Sequence, residues 1–342
     1  MKQAWMKQTG MALALLIAGL VNKGIAQSKP QQVEGSNWRA LTGSAPAVTT
    51  DGTNRYIAWQ GLNNDVYFAM FNGTWTNHQI VGGTGWTAET SATPAILYAG
   101  FGTTVWLAWK GKGSSNTIWF STGDGTSWSK QEPVSGTDPD WTAESNAGPA
   151  LGIYGGTPYV AWKGASTDEI WYTYNLGSWA HQQVISGSGW TAYTKATPAV
   201  TTDQSGNLHV FWKGKSSDDI WGSMGQIVSC CEPEWLGQGT ISCSAESNVA
   251  PGAGFFINAN KVLWDEVVFW KQSTSNAILY SYGCGKVAGS SWSAQTNVTP
   301  AVSNYSDEGE SVASILAWKN ASDNTVWFLD PTTLPSMKDF AP

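Results

Sequence analysis

Charged side chains are scarce in this 342-residue chain, where they make up 13% of the residues. Arginine occurs only twice, as Arg39 and Arg55, and there are three histidines and four cysteines. The formal net charge is −7. An acidic surface repels phosphate backbones, which argues against nucleic acid as a partner. The few histidines are scattered and no Cys-x-x-Cys spacing occurs, so we expect no metal site and no cofactor.

Long apolar runs are missing beyond the first 26 residues. Those residues place Lys2 and Lys7 before an apolar stretch at 11–20 and end in small residues, a pattern typical of a secretory signal. We expect cleavage after Ala26, leaving one domain at 27–342 with a formal charge of −10, because the leader holds three lysines and no acid. No later run reaches the roughly 18 apolar residues of a membrane-spanning helix. The sequence therefore predicts a secreted or periplasmic protein without membrane insertion, and it leaves the oligomeric state open.

The chain contains six repeats with a period near 50 residues. In each repeat an aromatic residue or a cysteine is followed, after seven residues, by a proline that begins an apolar segment. These pairs are Trp38/Pro46, Trp86/Pro94, Trp141/Pro149, Trp190/Pro198, Cys243/Pro251 and Trp292/Pro300. A second tryptophan follows each proline by 13 to 19 residues, at Trp59, Trp109, Trp162, Trp212, Trp270 and Trp318. This periodicity predicts an all-β, six-bladed β-propeller.

Four short segments recur in the repeats and predict four-stranded antiparallel blades. The first begins at the proline, the second ends at the second tryptophan, and the third carries another large apolar residue. The fourth carries a tryptophan after a glycine turn, at Trp75, Trp128 and Trp179, and after an insertion at Trp235. The last repeat lacks a fourth segment, whereas the segment at 31–38 is similar to that at 182–190. We therefore expect the N-terminal segment to complete the sixth blade and to leave no open sheet edge.

The four cysteines fall in the two least regular repeats, at Cys230, Cys231, Cys243 and Cys284. In an oxidising compartment they can form two disulfides, and three connectivities are open.

Two sets of loops are expected on one face of the propeller: those from strand four to the next strand one, and those from strand two to strand three. The first set contains a Trp-Thr-Ala-Glu pattern, and the second contains Lys-Gly followed by Ser, Asp or Asn. An aromatic ring can stack on the apolar face of a pyranose while charged and hydroxyl groups bind its hydroxyls. The predicted ligand-binding residues are Trp86, Glu89, Lys110 and Ser114 in repeat two, Trp141, Glu144, Lys163, Ser166 and Asp168 in repeat three, and Trp190 and Lys213 in repeat four.

A structural role for the same residues stays open. Salt bridges between Glu89 and Lys110 and between Glu144 and Lys163 could join neighbouring strands, and the loop tryptophans could wedge between blades. The strand-two tryptophans occur in all six repeats, which predicts packing. The strand-three position accepts tyrosine, tryptophan and leucine, which predicts that the side chain fills space and does not contact a ligand.

Catalysis has little support in the sequence. The segment at 123–128 is similar to the aspartate box of sialidases, but Asp124 lies one residue too close to Trp128, and two arginines cannot form the triad that binds a sialic acid carboxylate. Candidate acid pairs for glycoside hydrolysis are Glu232 with Glu234 and Asp265 with Glu266. We interpret these as ordinary loop acids and predict no catalytic residue.

The repeat length, the glycine turns before Trp75, Trp128 and Trp179, and the terminal closing strand resemble the tryptophan-rich β-propeller lectins, both the fungal fucose-specific type and its bacterial relatives. The resemblance covers the whole mature chain. It implies several metal-free sugar sites between adjacent blades, with avidity from multivalency. It also implies an arginine, a glutamate and an aromatic residue in each site. The candidates to replace that arginine here are Lys110, Lys163, Lys213 and Lys271.

We therefore predict an exported lectin that binds glycans at inter-blade sites without catalysis. A propeller enzyme that degrades polysaccharide and a protein-binding envelope scaffold remain the alternatives.

Overall fold

The computed structural model describes residues 29–99, 104–136, 141–203, 205–229, 231–257, 264–305 and 313–330. Within these residues the chain forms six four-stranded antiparallel sheets, and the predicted six-bladed propeller is confirmed. One 3-10 turn, Tyr282–Cys284, is the only helical segment in this part of the chain. None of the described segments is a helix long and apolar enough to cross a membrane. The predicted signal segment, 1–26, lies outside the described residues.

Blades 1 to 3 are the most regular, and their strands run in chain order from the centre outwards. Blade 1 consists of Ala47–Thr50, Arg55–Gln60, Val66–Phe71 and Trp75–Ile80. Blade 2 consists of Ala95–Tyr98, Val105–Lys110, Ile118–Gly123 and Glu132–Pro133. Blade 3 consists of Ala150–Tyr154, Thr157–Lys163, Ile170–Tyr174 and Gln183–Val184.

Blades 4 to 6 vary more in strand length. Blade 4 consists of Ala199–Thr202, Leu208–Lys213, Ile220–Ser229 and Glu232–Thr240. Blade 5 consists of Gly252–Ile257, Trp264–Lys271, Ile278–Tyr280 and Gly285–Lys286. Blade 6 consists of Ala301–Tyr305, Ala313–Lys319, Val326–Leu329 and the N-terminal strand Gln31–Gln32.

The ends of the described chain meet in blade 6. Gln31 pairs with Phe328 and Gln32 pairs with Trp327 in an antiparallel register. The amide of Val33, which is fully buried, also donates to the carbonyl of Val326 at 2.8 Å. The outer edge of this blade is therefore formed by Gln31–Gln32, the first strand of the described residues.

The strand-two tryptophans hold neighbouring blades together. All six are between 1% and 3% exposed. Trp109 of blade 2 packs in one apolar cluster with Ala58 and Phe68 of blade 1, and Trp59 packs in another with Ala317 of blade 6. Each of these tryptophans removes about 150–250 Å² of its surface from water, so the repeat pattern encodes the inter-blade core directly.

The strand-four tryptophans make a second set of inter-blade contacts nearer the outside. Each meets an aromatic ring of the preceding blade with interplanar angles of 76° to 88°. The four pairs are Trp75 with Phe328, Trp128 with Phe68, Trp179 with Phe120, and Trp235 with Tyr172. Edge-to-face packing of this kind adds about 0.5–1.5 kcal/mol beyond the area buried.

One disulfide, Cys243–Cys284, joins the loop that enters blade 5 to the turn between the third and fourth strands of that blade. The carbonyl of Cys231 accepts a 2.7 Å hydrogen bond from the Tyr159 hydroxyl. Cys230 lies outside the described residues, so the second predicted disulfide stays a prediction.

Candidate functional site

The two sets of loops that the sequence places together do lie side by side on one face. Thr117, before the third strand of blade 2, forms a bridge with Glu144 in the loop that enters blade 3. The same bridge joins Asp65 to Glu89 one blade earlier. These contacts arrange the loop tryptophans around one rim of the propeller.

Each loop tryptophan except that of blade 3 belongs to a short antiparallel ribbon made of two strands of two residues each. In the loop that enters blade 2, Gly82–Gly83 pairs with Trp86–Thr87. The indole folds back over Gly83, where a Cβ atom would lie 2.6 Å from Trp86 Nε1. The glycine is therefore required for the ring to lie flat against the ribbon.

At rim sites 1 and 2 the loop tryptophan lies parallel to a buried strand-two tryptophan. Trp86 and Trp109 have ring centroids 6.4 Å apart and planes 6° apart. Trp38 and Trp59 repeat this at 6.2 Å and 11°. The strand-three aromatic is the cross-strand partner of the strand-two tryptophan, as Trp119 is of Trp109, so three large side chains share one face.

We call these positions rim sites 1 to 6, after the blade that each loop enters. Their loop, strand-two and strand-three residues are Trp38/Trp59/Tyr67, Trp86/Trp109/Trp119, Trp141/Trp162/Trp171, Trp190/Trp212/Trp221, Cys243/Trp270/Leu279 and Trp292/Trp318/Trp327.

Rim site 6 is a cavity of about 450 Å³ lined by blade 6 and the loop that connects blade 5 to it. Trp292, Trp318 and Trp327 form its aromatic walls, and Lys29 and Pro30 of the N-terminal segment line it as well. Its polar lining residues are Ser291, Ser293, Gln295 and Asn320.

Rim site 1 is a cavity of about 300 Å³ lined by blade 1 and the loop that enters it. Trp59, Tyr67 and His78 are its aromatic lining residues. The His78 ring lies flat on Trp38, 4.2 Å from it centroid to centroid, and 5.4 Å from Tyr67. Burial in this stack lowers the pKa of His78. Leu41 and Leu62 line the opening.

Rim site 1 also contains a charged pair that the sequence reasoning overlooked. Arg39 lines the cavity, and its Nε donates to Glu34 Oε2 at 2.8 Å while both side chains remain exposed. One sequence signal was available, because Arg39 directly follows its loop tryptophan. The residues that occupy this place at the other rim sites are Thr87, Thr142, Thr191, Ser244 and Ser293.

The predicted tryptophans occupy the rim but differ in exposure. Trp86 and Trp190 are half-buried. Trp141 is only 7% exposed. Its ring is nearly perpendicular to that of His181, with an interplanar angle of 87°. Rim site 3 therefore presents less open aromatic surface than rim sites 2 and 4.

The predicted lysines anchor loops. Lys110 is 4% exposed, and its Nζ donates to Ser91 Oγ and to the carbonyls of Gly111 and Gly113 at 2.9–3.1 Å. Burial lowers the pKa of Lys110. Because neighbouring strand residues point to opposite faces, Lys110 lies across the sheet from the Trp109 ring.

Lys163 and Lys213 have similar surroundings. Lys163 Nζ donates to Asn146 Oδ1 at 2.9 Å and lies 3.5 Å from Asp168 Oδ1. Lys213 Nζ donates to the Ser217 carbonyl at 2.9 Å and pairs with Asp218 at 3.1 Å. The ammonium groups of these three lysines are therefore bonded to loop oxygens.

The predicted acids and hydroxyls lie among the loops. Glu89 pairs with Lys112 at 2.6 Å rather than with Lys110. Asp168 pairs with Lys215 as well as with Lys163. The hydrogen bond from Lys215 lowers the pKa of Asp168. The remaining three predicted residues, all exposed, are Ser114, Glu144 and Ser166.

The chain matches no protein-family model and no curated protein. Its fold is similar to several solved structures. The fucose-specific lectin of Aleuria aurantia has 14% identity and a TM-score of 0.60, over 87% of this chain and 99% of that one. The SapL1 lectin in complex with alpha methyl fucoside has 11% identity and a TM-score of 0.56, over 82% and 90%.

An enzyme has the same fold. The α-L-arabinanase of Penicillium chrysogenum, complexed with arabinobiose, has 13% identity and a TM-score of 0.57, over 89% of this chain and 99% of that one. The structural neighbours confirm the resemblance to β-propeller lectins at the level of the fold.

Proposed function

We propose that the protein binds carbohydrate at the rim sites between neighbouring blades, without catalysis. The observation that carries this proposal is the pair of open aromatic cavities at rim sites 6 and 1. Aromatic walls with a few polar groups around them match the chemistry of a pyranose, which has an apolar face and a hydroxylated edge.

Rim site 6 fits a monosaccharide or the end of a glycan chain. Its volume of about 450 Å³ lies in the range of small-molecule pockets. A sugar ring stacked on Trp292 or Trp327 would have its hydroxyls near the amides of Gln295 and Asn320.

Rim site 1 offers a charged rim instead. Arg39 uses Nε to bond Glu34, so its terminal guanidinium nitrogens can donate to sugar hydroxyls while the Glu34 carboxylate accepts from them. Leu41 and Leu62 would cover apolar parts of the ligand.

Five of the six rim sites carry the loop tryptophan, so we propose up to five sugar sites. Trp86, Trp141 and Trp190 would contribute stacking surfaces at rim sites 2, 3 and 4. Lys110, Lys163 and Lys213 would act by positioning the loops. Several weak sites on one rim give avidity for a glycan surface that presents repeated ligands.

The structural neighbours support this proposal through the sugars that they bind. One is named for its specificity for fucose, one was solved with alpha methyl fucoside and one with arabinobiose. All three ligands are carbohydrates that a propeller of this kind accommodates in those proteins.

The test is a glycan array with wild-type protein, followed by affinity electrophoresis of Trp292→Ala and Trp38→Ala on the sugars that bind. Leu176→Ala is the control, because Leu176 is 57% exposed and lies in a turn of blade 3. We expect weaker binding by both tryptophan variants and unchanged binding by the control.

Three results would count against the proposal. Full sugar binding by both folded tryptophan variants would mean that these rings only pack. Release of reducing sugar, abolished by changing a single acid, would favour the enzyme. A protein partner that binds in the presence of excess free sugar would favour the scaffold.

A further inference from the structure

We propose that rim site 6 selects an acidic sugar, a hexuronate, whose carboxylate is bound by Lys29. This inference rests on the proposed carbohydrate function and specifies the ligand class of one site.

The lining of rim site 6 combines one cation with neutral groups. Among the described residues that line it, Lys29 is the only charged one, and the others are tryptophans, serines, amides and small apolar residues. A sugar ring on the tryptophan walls therefore meets neutral hydrogen-bonding groups and a single positive charge. A carboxylate at the edge of that ring is the group that completes this arrangement, because a charge-assisted hydrogen bond is stronger than a neutral one.

Lys29 differs from the lysines that anchor loops. Lys110, Lys163 and Lys271 are nearly buried, and each donates to loop oxygens. Lys29 is exposed and takes part in none of the salt bridges found within the described residues. Its ammonium group is therefore available to a ligand in the cavity that it lines.

Rim site 1 provides an internal comparison. It too is lined by aromatic rings, but its cation, Arg39, is paired with Glu34 at 2.8 Å. The charges cancel there, so rim site 1 gives a carboxylate no advantage over a hydroxymethyl group. The two neighbouring sites should consequently differ in their preference for acidic over neutral sugars.

The net charge of the protein sharpens the interpretation. At −7 overall, the molecule repels anions at long range. A preference for an acidic sugar must then come from a local contact, which points to the lysine inside the cavity. Because that contact is partly exposed, added salt should weaken it.

The location of Lys29 gives the proposal a second readout. Lys29 precedes the strand Gln31–Gln32 that completes blade 6, whereas Trp292 lies in the loop between blades 5 and 6. A ligand held by both would tie the N-terminal segment to the rest of the ring. Binding to the closed form alone stabilises that form, so exchange of the Val33 amide, which bonds the Val326 carbonyl, should slow.

The experiment uses the full chain and paired probes: methyl glycosides of glucuronic, galacturonic and mannuronic acid and those of glucose, galactose and mannose. Calorimetry compares wild type with Lys29→Gln, Lys29→Arg and the control Lys130→Gln, which removes one exposed charge from blade 2. We expect wild type and Lys130→Gln to bind at least one uronate about tenfold more tightly than its neutral parent, a factor in the range of a partly exposed charged hydrogen bond.

Lys29→Gln should abolish this preference while keeping neutral binding, Lys29→Arg should restore it, and the uronate should slow exchange at Val33. Equal binding of uronates and neutral sugars by wild type, or an unchanged preference in Lys29→Gln, overturns the inference and leaves the proposed function intact. If no glycoside of either kind binds, the proposed function and this inference both fail.

Discussion

Blades 2 and 5 hold their entering loops against the sheet by different means. In blade 2 the loop residue Trp86 lies parallel to Trp109, a contact between two rings. In blade 5 the corresponding residue is Cys243, which is bonded covalently to Cys284, and the strand-three aromatic is replaced by Leu279. The difference teaches that the loop needs an attachment at every blade, whereas the aromatic pocket is an optional result of one kind of attachment.

The deepest contacts are common to both blades, and they should carry the largest effect. We predict that Trp109→Ala and Trp270→Ala each lower the free energy of unfolding by about 3–5 kcal/mol, because each leaves a large cavity between blades. Urea denaturation measures the change, with exposed Leu176→Ala as the reference at less than about 0.5 kcal/mol. A loss below about 1 kcal/mol in either blade would show that the strand-two tryptophans do not form the inter-blade core.

The second prediction concerns the covalent attachment in blade 5. Replacing both cysteines, Cys243→Ser with Cys284→Ser, should lower stability by about 2–4 kcal/mol, because the bond closes a long loop in the unfolded chain. The sequence separation between the two cysteines is 41 residues. Thermal unfolding measures this, and Ser242→Ala is the matched control. Unchanged stability would mean that the loop of blade 5 is held by its other contacts.

The third prediction separates packing from binding. Trp86→Ala should cost less stability than Trp109→Ala, because Trp86 is half-buried, yet it should remove one sugar site. The double serine variant of Cys243 and Cys284 should keep the number of bound sugars. Calorimetric stoichiometry with a sugar identified on the array provides the measurement. A lower stoichiometry in the cysteine variant would contradict the assignment of rim site 5 as empty of sugar.

The smallest effect should come from protonation of His78 in rim site 1. Rim site 5 lacks this aromatic stack, since Cys243 and Leu279 replace two of its rings. Burial lowers the pKa of His78 in the folded protein, whereas in the unfolded chain the pKa is about 6.5. At a pH below about 6.5 the unfolded chain therefore binds the proton more readily than the folded protein does. Stability should therefore fall as the pH drops through about 6.5 towards the lower folded value. His78→Gln should make this pH dependence shallower than in wild type when urea midpoints at pH 8 and pH 5 are compared. An equal change in urea midpoint between pH 8 and pH 5 for wild type and His78→Gln would refute the contribution of His78. His181→Gln serves as the control.

The fold could be predicted because each repeat carries its own packing residues. Trp109 and Trp128 fill the space between blades wherever a repeat of this length forms a sheet, and Gly83 allows the loop ring to lie flat. The aromatic half of the candidate site follows from the same regularity. The polar half does not follow, because the repeat pattern places Lys110 near the rim without showing that its ammonium group donates to the oxygens of Ser91, Gly111 and Gly113.

The sequence alone determined the number of blades, the tryptophans between them and the single blade in which a cysteine takes the place of a loop tryptophan, because these depend on a local pattern repeated at a constant spacing. Only the tertiary structure determined which charges reach the pockets. Closure of the ring brings Lys29 into the same cavity as Trp292, which lies more than 250 residues later in the sequence. Contacts between distant segments depend on side-chain direction and chain closure, and neither is encoded within one repeat.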